Sequence, residues 1–142
     1  MNSPASEIAA GRDTDAAHDR LVADVFARAC ESRRILEHVT GRWGSLALAA
    51  LMEGPFRFNA LRRKVDGVSE KMLAQTLQAL ERDGFVHRKA EPTIPPRVEY
   101  SLTPTGREVA EKLLGLIAFV EARLPEVTAA RARYDAVKLA RG

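Results

Sequence analysis

The chain has 142 residues, of which 46% are hydrophobic and 29% are charged, values typical of a single soluble domain. No apolar run approaches the ~18 residues that a membrane-spanning helix needs, and the N-terminus lacks the basic and apolar segments of a secretory signal. The single cysteine, Cys30, excludes an internal disulfide. These features predict an uncleaved cytoplasmic protein whose core needs neither a disulfide nor a structural metal.

Positive charge is concentrated in one part of the chain. The net charge is only +3, but residues 57–97 contain nine Lys or Arg against five Asp or Glu, a local net charge of +4. A local excess of this kind favours a polyanionic partner, and the alternative is an ordinary solvated surface.

The first part of the chain predicts a tail followed by two helices. Residues 1–15 are small, polar and aperiodic, which is typical of a disordered segment. From Ala16 to Val39, apolar residues recur at three- and four-residue spacings, as on one face of a helix. Ser32 is placed to cap a second short helix that ends at Gly41.

The next two helices are predicted from an apolar run and a basic segment. Residues 42–54 are almost entirely apolar, which indicates a helix buried in the core and closed at Gly54-Pro55. A short extended piece follows, and then a helix capped by Asn59 or its neighbour. The outward face of that helix carries Arg62, Arg63 and Lys64.

Residues 69–83 give the clearest helical pattern in the chain. Ser69 suits the N-cap, and Gly84 suits the left-handed conformation that ends a helix. The predicted buried stripe contains Leu73, Thr76, Leu77 and Leu80. The opposite face carries Lys71, Ala74, Gln75, Gln78 and Arg82.

Two strands are predicted within residues 85–91 and 97–103, joined by the segment "PTIPP". Val98, Tyr100 and Leu102 alternate along the second strand, as a half-buried strand requires. Because proline fixes φ, the prolines stiffen this loop. The first charged residue after the loop is Arg97.

The order of the elements predicts the fold class. Thr103 and Pro104 begin a long helix, Pro125 interrupts it, and a last helix is predicted to reach about Leu139. A helix-turn-helix followed by a two-stranded wing is a winged helix-turn-helix, which is α+β but mainly α. We expect a disordered tail over 1–15, the winged helix-turn-helix domain with flanking helices over 16–124, and a C-terminal helix and tail over 125–142.

This architecture predicts binding to double-stranded DNA. The second helix of the pair, here residues 69–83, enters the major groove in such domains, where glutamine bonds adenine and lysine bonds guanine or phosphate. The wing, residues 85–102, would contact the backbone or the minor groove, where narrow A·T tracts attract arginine. The predicted DNA-binding residues are Arg62, Arg63, Lys64, Ser69, Lys71, Gln75, Gln78 and Arg97.

Other functions are weighed against this one. The three histidines have no metal-ligand spacing, and there is no phosphate-binding loop or nucleophile elbow, so we expect neither an enzyme nor a cofactor or metal site. A winged helix that binds another protein instead of DNA is the main alternative. The cations retained on the helices and the wing favour DNA.

Several segments resemble the HxlR family of bacterial winged helix-turn-helix transcription regulators, which are related to the MarR type. They are the basic–Trp pair at 42–43, "GPFRFNALRR" at 54–63, "SEKMLAQTL" at 69–77, "LERDGFV" at 80–86 and "PPRVEYSLT" at 95–103. The similarity runs from about Ala29 to Leu124. It implies a homodimer that binds operator DNA as a symmetric pair.

The resemblance also implies that the dimer forms through the N-terminal and C-terminal helices. The alternative is that their apolar stripes pack within one monomer. The implied interface residues are Leu21, Val25, Phe26, Leu113, Leu116, Ile117 and Val120.

An effector site is implied in two places. Some family members sense oxidants or electrophiles through a cysteine at the position of Cys30, although Glu31 stands where the family usually has proline. Nearby arginines favour the accessible thiolate that sensing requires, Glu31 opposes it, and the alternative is a structural cysteine beside Phe26. Gly44 and Ser45 are smaller than the usual pair, which predicts space for a small molecule beside Trp43.

Overall fold

The computed structural model describes residues 25–142, and the predicted tail and Leu21 lie outside this range. Within it the chain forms six helices and one small antiparallel sheet. The helices are α1 (Glu31–Thr40), α2 (Arg42–Leu51), α3 (Phe58–Lys64), α4 (Glu70–Arg82), α5 (Pro104–Ala122) and α6 (Leu124–Arg141). The strands are β1 (Phe56–Arg57), β2 (Val86–Glu91) and β3 (Arg97–Leu102). This order confirms the predicted winged helix-turn-helix.

The core lies where α2, α3 and α4 pack together. Its largest fully buried side chains are all leucines, namely Leu48, Leu51, Leu61, Leu73, Leu77 and Leu80. Burial of each contributes about 1.5–3 kcal/mol relative to exposure. The predicted stripe of α4 is confirmed, with Thr76 half-buried at its edge.

Both ends of α4 form as the sequence predicts, because the signals are local. The Ser69 hydroxyl accepts a hydrogen bond from the Met72 N–H at 3.1 Å. At the other end Gly84 has φ +81°, the left-handed conformation that favours glycine. The N–H groups of Phe85 and Gly84 donate to the carbonyls of Leu80 and Glu81, which satisfies the last carbonyls of the helix.

Two predicted caps are wrong. Helix α1 begins at Glu31 with Cys30 as its N-cap, so Ser32 lies within the first turn and caps nothing. Helix α3 begins at Phe58, and its N-cap is Arg57 rather than Asn59. In α3 the chain passes directly from β1 into the helix, so strand pairing rather than a polar side chain fixes the start.

The sheet places β3 between β1 and β2. Phe56 pairs with Tyr100, and the wing register runs from Val86 opposite Leu102 to Glu91 opposite Arg97. Val98, Tyr100 and Leu102 are half-buried, which confirms the predicted alternation. The wing is therefore attached to the helical body along its whole base.

Gly44 allows α1 and α2 to pack closely against each other. A Cβ atom at Gly44 would lie 1.9 Å from the carbonyl oxygen of His38, because α2 crosses directly over the backbone of α1. The Ser45 hydroxyl donates to the Gly41 carbonyl at 2.8 Å. The position that a side chain at residue 44 would take is therefore filled by the backbone of α1, and a small-molecule site beside the Trp43 ring stays a prediction.

The last two helices differ in their relation to this core, because α5 contributes Ala110 and Leu113 to it and α6 extends beyond it. Thr103 caps α5, its hydroxyl accepting from the Gly106 N–H at 3.0 Å, and α5 ends at Ala122 just before Pro125, as predicted. Helix α6 continues to Arg141 and buries none of its residues. None of the helices described over 25–142 is long and apolar enough to cross a membrane.

Candidate DNA-binding surface

The outer face of α4 is an exposed and mainly polar stripe. Lys71, Ala74, Gln75, Gln78 and Arg82 are all exposed, opposite the buried leucines. Their spacings of three and four residues place them on one side of the helix, over a length of about 16 Å. The predicted recognition face is therefore accessible along the whole helix.

A groove separates the wing from α3 beside this stripe. It has a volume of about 780 Å³, with Phe58–Ala60 on one side and Thr93–Val98 on the other. Three guanidinium groups line it, those of Arg57, Arg63 and Arg97, against the single carboxylate of Glu70. The groove therefore favours an anionic ligand.

A second depression continues this surface across the turn between α3 and α4. It has a volume of about 710 Å³ and is lined by Asn59, Arg62, Arg63 and residues 66–69. Asn59 and Arg63 belong to both depressions. The predicted residues Arg62, Arg63, Ser69 and Arg97 thus lie along one surface.

The cations on this surface differ in how far they are neutralised. The ion pairs found within residues 25–142 do not involve Arg57, Arg62, Arg63 or Arg97. Lys64 differs, because its Nζ lies 2.9 Å from Glu53 Oε1. Lys64 is therefore the predicted cation with the least charge available to a ligand.

The strand register shows which charges surround Arg97. Paired residues of an antiparallel sheet share a face, so Arg97 lies beside Glu91, and Glu99 lies between Arg57 and Lys89. The exposed face of the sheet therefore alternates cations with carboxylates. Arg97 acts in a weaker positive field than its sequence position predicts.

Sequence reasoning left Arg57 out of the site. Its signal is the alternation in "FRF", where Phe56 and Phe58 turn inward and leave Arg57 exposed. The pairing of Arg57 with Glu99 then brings it next to the wing. This long-range pairing is not visible in a sequence window.

The wing tip is held by its own hydrogen bonds. Thr93 donates its hydroxyl to the Pro95 carbonyl at 2.9 Å and its N–H to the Glu91 carbonyl at 2.8 Å. Ile94 is fully exposed at the apex. The tip is thus a small, ordered projection beside the groove.

The residues predicted for a dimer interface divide into two groups. Leu116 and Val120 are 57% and 51% exposed, and Phe26 is also largely exposed. Val25 and Ile117 are half-buried, whereas Leu113 is only 8% exposed and belongs to the monomer core. Leu113 therefore offers almost no surface to a partner.

Further apolar side chains lie exposed on α5 and α6. They are Leu114, Phe119, Leu124, Val127, Tyr134, Val137 and Leu139. The sequence-based interface omitted them. With Leu116 and Val120 they give α5 and α6 nine large exposed apolar side chains.

Cys30 is a free, half-buried cysteine at the N-cap of α1. Its N–H donates to the Ala27 carbonyl at 3.0 Å. The nearby Arg33 is engaged elsewhere, with the Phe26 carbonyl at 3.3 Å and with Glu37 at 3.4 Å. Phe26 is exposed, so the apolar stripe that would bury this cysteine beside it does not form within the described residues.

Comparisons with known proteins agree with the DNA-binding surface described above. Residues 38–128 match the model of the HxlR-like helix-turn-helix family. The HTH-type transcriptional regulator YtfH of Escherichia coli K12 is 60% identical over 108 residues, which cover 76% of this chain and 86% of that protein. The solved structure of ytfH from Salmonella typhimurium is 57% identical, covers 75% of this chain and 96% of its own, and gives a TM-score of 0.72.

More distant structures keep the same architecture. The reduced form of the redox regulator HypR is 32% identical, with a TM-score of 0.64 over 69% of this chain and 97% of its own. The reduced form of the transcriptional regulator YodB from Bacillus subtilis is 30% identical, with a TM-score of 0.55 over 68% of this chain and 92% of its own. The chain belongs to the HxlR-like helix-turn-helix family of DNA-binding transcription regulators, and it is not an enzyme.

Proposed function

We propose that the protein is a sequence-specific transcription regulator that binds operator DNA as a homodimer, with residues 69–83 in the major groove. The observation that carries this proposal is the exposed, mainly polar stripe of α4 beside the arginine-lined groove. The major groove of B-DNA is about 12 Å wide, which admits a helix with short side chains facing the bases. Ala74, at the centre of the stripe, permits such a close approach.

We assign base recognition to the exposed stripe of α4. Gln75 and Gln78 each present an amide that can donate to and accept from adenine, and Lys71 can donate to guanine. Ser69 lies at the N-terminal end of α4, where backbone N–H groups favour a phosphate. Its hydroxyl is already used as the helix cap, so its role is to present this end of the helix.

Phosphate binding is assigned to the arginine-lined groove and the depression next to it. Arg62, Arg63 and Arg57 would contact one strand, and the wing, residues 85–102 with Arg97, would reach the adjacent backbone or minor groove. Lys64 contributes less because Glu53 neutralises it. These contacts fix the register of the protein on DNA without reading its sequence.

The exposed apolar surface of α5 and α6 supports a homodimer. An apolar surface of this extent is costly to leave in water, and a second copy would cover it. We propose Phe26, Leu116, Ile117 and Val120 as interface residues, together with Val25 and Leu21. In this arrangement residues 16–124 form the winged helix-turn-helix with its dimerisation helices, residues 125–142 form the C-terminal helix, and the dimer acts in the cytoplasm, where the DNA is.

One selection experiment tests the central proposal. The full-length protein is used to select sites from a random double-stranded DNA library, and the dissociation constant of the selected site is compared with that of random DNA. We expect a preference of at least about 10³-fold and a two-fold symmetric site whose halves lie about one helical turn apart. Equal affinity for selected and random DNA would favour the alternative, a protein-interaction module.

A second candidate function is oxidant sensing through Cys30, with a structural cysteine as its alternative. One of the similar solved structures is the redox regulator HypR, and the half-buried Cys30 thiol lies at the start of α1. Both observations support this second function. We expect the thiol oxidant diamide to change the operator affinity of the wild type and to leave Cys30→Ser unaffected. An identical response of both proteins would assign Cys30 a structural role.

A further inference from the structure

The C-terminal turn of α4, residues 83–85, is held by two other helices. Asp83 is the C-cap of α4, and Gly84 and Phe85 complete the turn that follows. Helix α1 contacts this turn through a side chain, and the start of α5 contacts it through the backbone and a hydroxyl. The orientation of α4 is therefore set at this end by its neighbours.

The contact from α1 is a hydrogen bond between His38 and Asp83. His38 Nδ1 lies 2.6 Å from Asp83 Oδ2, across 45 residues of sequence. Because a carboxylate can only accept, the ring N–H donates. The side chains are 32% and 13% exposed, so this charge-assisted bond is partly shielded from water.

The backbone of His38 is itself fixed. Helix α2 crosses it so closely that a Cβ at Gly44 would lie 1.9 Å from the His38 carbonyl oxygen. His38 therefore cannot follow a movement of α4 without displacing α2. The hydrogen bond ties the end of α4 to a rigid pair of helices.

The contact from α5 involves groups that cannot easily be removed. The Thr103 hydroxyl donates to the Gly84 carbonyl at 2.6 Å, and the Thr103 N–H donates to the Phe85 carbonyl at 3.1 Å. Because Thr103 also caps α5, its substitution would disturb two helices at once. The bond between His38 and Asp83 is the part of this arrangement that can be tested alone.

We propose that His38 is a positioning residue for the recognition helix, acting through Asp83 to hold the end of α4 at the angle that base reading requires. A tilt of only about 3° about one end of this helix of 13 residues, about 20 Å long, moves the other end by about 1 Å. Hydrogen bonds to base edges do not tolerate such a shift, whereas long arginine side chains still reach phosphates. This inference rests on the proposed use of α4 in the major groove.

The test is a double-mutant cycle read as a ratio of dissociation constants. His38→Ala, Asp83→Ala and the double variant are each titrated with the selected DNA site and with random DNA. We expect each single variant to lower the preference about tenfold for each half of the selected site, the size of one lost base contact per protomer, with little change on random DNA. The double variant should lose no more than the singles, because all three lack the same bond.

A conservative variant and a neighbouring control separate positioning from folding. His38→Asn keeps an amide N–H near the position of Nδ1 and should recover most of the preference. Glu37→Ala, the adjacent residue on α1, removes only the exposed contact with Arg33 and should leave the preference unchanged. Hydrogen exchange without DNA should become faster at the Gly84 and Phe85 amides in His38→Ala. The protein should stay folded, with a lower free energy of unfolding because Asp83 loses its partner.

The outcomes are distinguishable. If the wild type shows no preference for any DNA site, the proposed function fails and this inference fails with it. If the wild type prefers a site and His38→Ala keeps the full preference, the proposed function stands and the positioning role of His38 is refuted. Equal losses on selected and random DNA, or additive effects in the double variant, refute it as well.

Discussion

At the scale of single residues, the proposed division of labour is between amide side chains that read bases and guanidinium groups that bind phosphates. Gln75 is the clearest member of the first group, because it lies at the centre of the exposed stripe of α4 and makes no side-chain hydrogen bond within residues 25–142. Its whole hydrogen-bonding capacity is therefore open to a base.

We predict that Gln75→Ala relaxes the sequence preference at one position in each half of the operator. The expected loss is about 1–3 kcal/mol for each half of the preferred site, because each protomer loses one bidentate contact to a base. Affinity for random DNA should stay the same. A competition assay with single-base variants of the site measures this, and equal losses on preferred and random DNA would contradict a base-reading role.

The proposed phosphate contacts can be tested by comparing two adjacent cations, Arg63 and Lys64. Arg63 lines both depressions and has no ion pair within the described residues, whereas Lys64 is bound to Glu53. We predict that Arg63→Ala lowers the slope of log affinity against log salt by about 1.8, because one phosphate contact worth about 0.9 is lost from each protomer of the dimer. Lys64→Ala should lower it less. Slopes measured between 50 and 200 mM salt decide this, and a larger effect of Lys64→Ala would assign the phosphate contact to the lysine.

At the scale of elements, the limits of a helix were predictable where the residues that determine them are close in sequence. The limits of α4 were predictable because Ser69 and Gly84 act on their immediate neighbours. The start of α3 was not, because pairing of β1 with β3, more than 40 residues away, holds Arg57 extended until the helix begins. The same pairing brings Arg57 into the groove, so the wrong cap and the missed site residue share one physical cause.

Close packing between elements gives a stability prediction on α5. A Cβ at Gly106 would lie 1.8 Å from the Phe85 carbonyl oxygen, a backbone atom that cannot move aside without shifting the end of α4. We expect Gly106→Ala to lower the free energy of unfolding by about 1–3 kcal/mol or more, as overpacked cores do. Urea denaturation measures the change.

Gly115 on the same helix is the control for this prediction. Apart from its chain neighbours and the adjacent backbone of its own helix, no atom lies within 4 Å of the position that its Cβ would take. Gly115→Ala should therefore stabilise the protein, by up to about 1 kcal/mol, because alanine favours a helix interior. If both substitutions destabilised the protein equally, the close approach at Gly106 would not be the cause.

At the scale of the whole molecule, the architecture was predictable and the use of its apolar surface was not. Hydrophobic periodicity identified the order of helices and strands, because each element must turn one face to the core. The sequence pattern of α5 predicts one apolar face, but the helix has two. Leu113 follows Gly106 and Ala110 into the core, whereas Leu116 and Val120 lie exposed beside them. Spacings of three and four residues do not distinguish two adjoining faces of one helix.

The exposed face of α5 carries the last prediction, which concerns assembly. We expect the wild type to have a solution mass of twice the 15.6 kDa of one chain. Val120→Glu should shift it toward the monomer, because a carboxylate buried in an apolar interface has no partner to replace its water. Lys112→Glu places the same carboxylate at an exposed polar position of α5 and should leave the mass unchanged. Analytical ultracentrifugation measures both.

The same pair of variants connects assembly to DNA binding. A dimer binds both halves of a symmetric operator at once, so the second half is bound at a high effective concentration. Val120→Glu should therefore lose affinity for the full operator while it binds a single half-site as the wild type does. A monomeric wild type, or an obligate dimer that Val120→Glu leaves intact, would show that the exposed surface of α5 has another use.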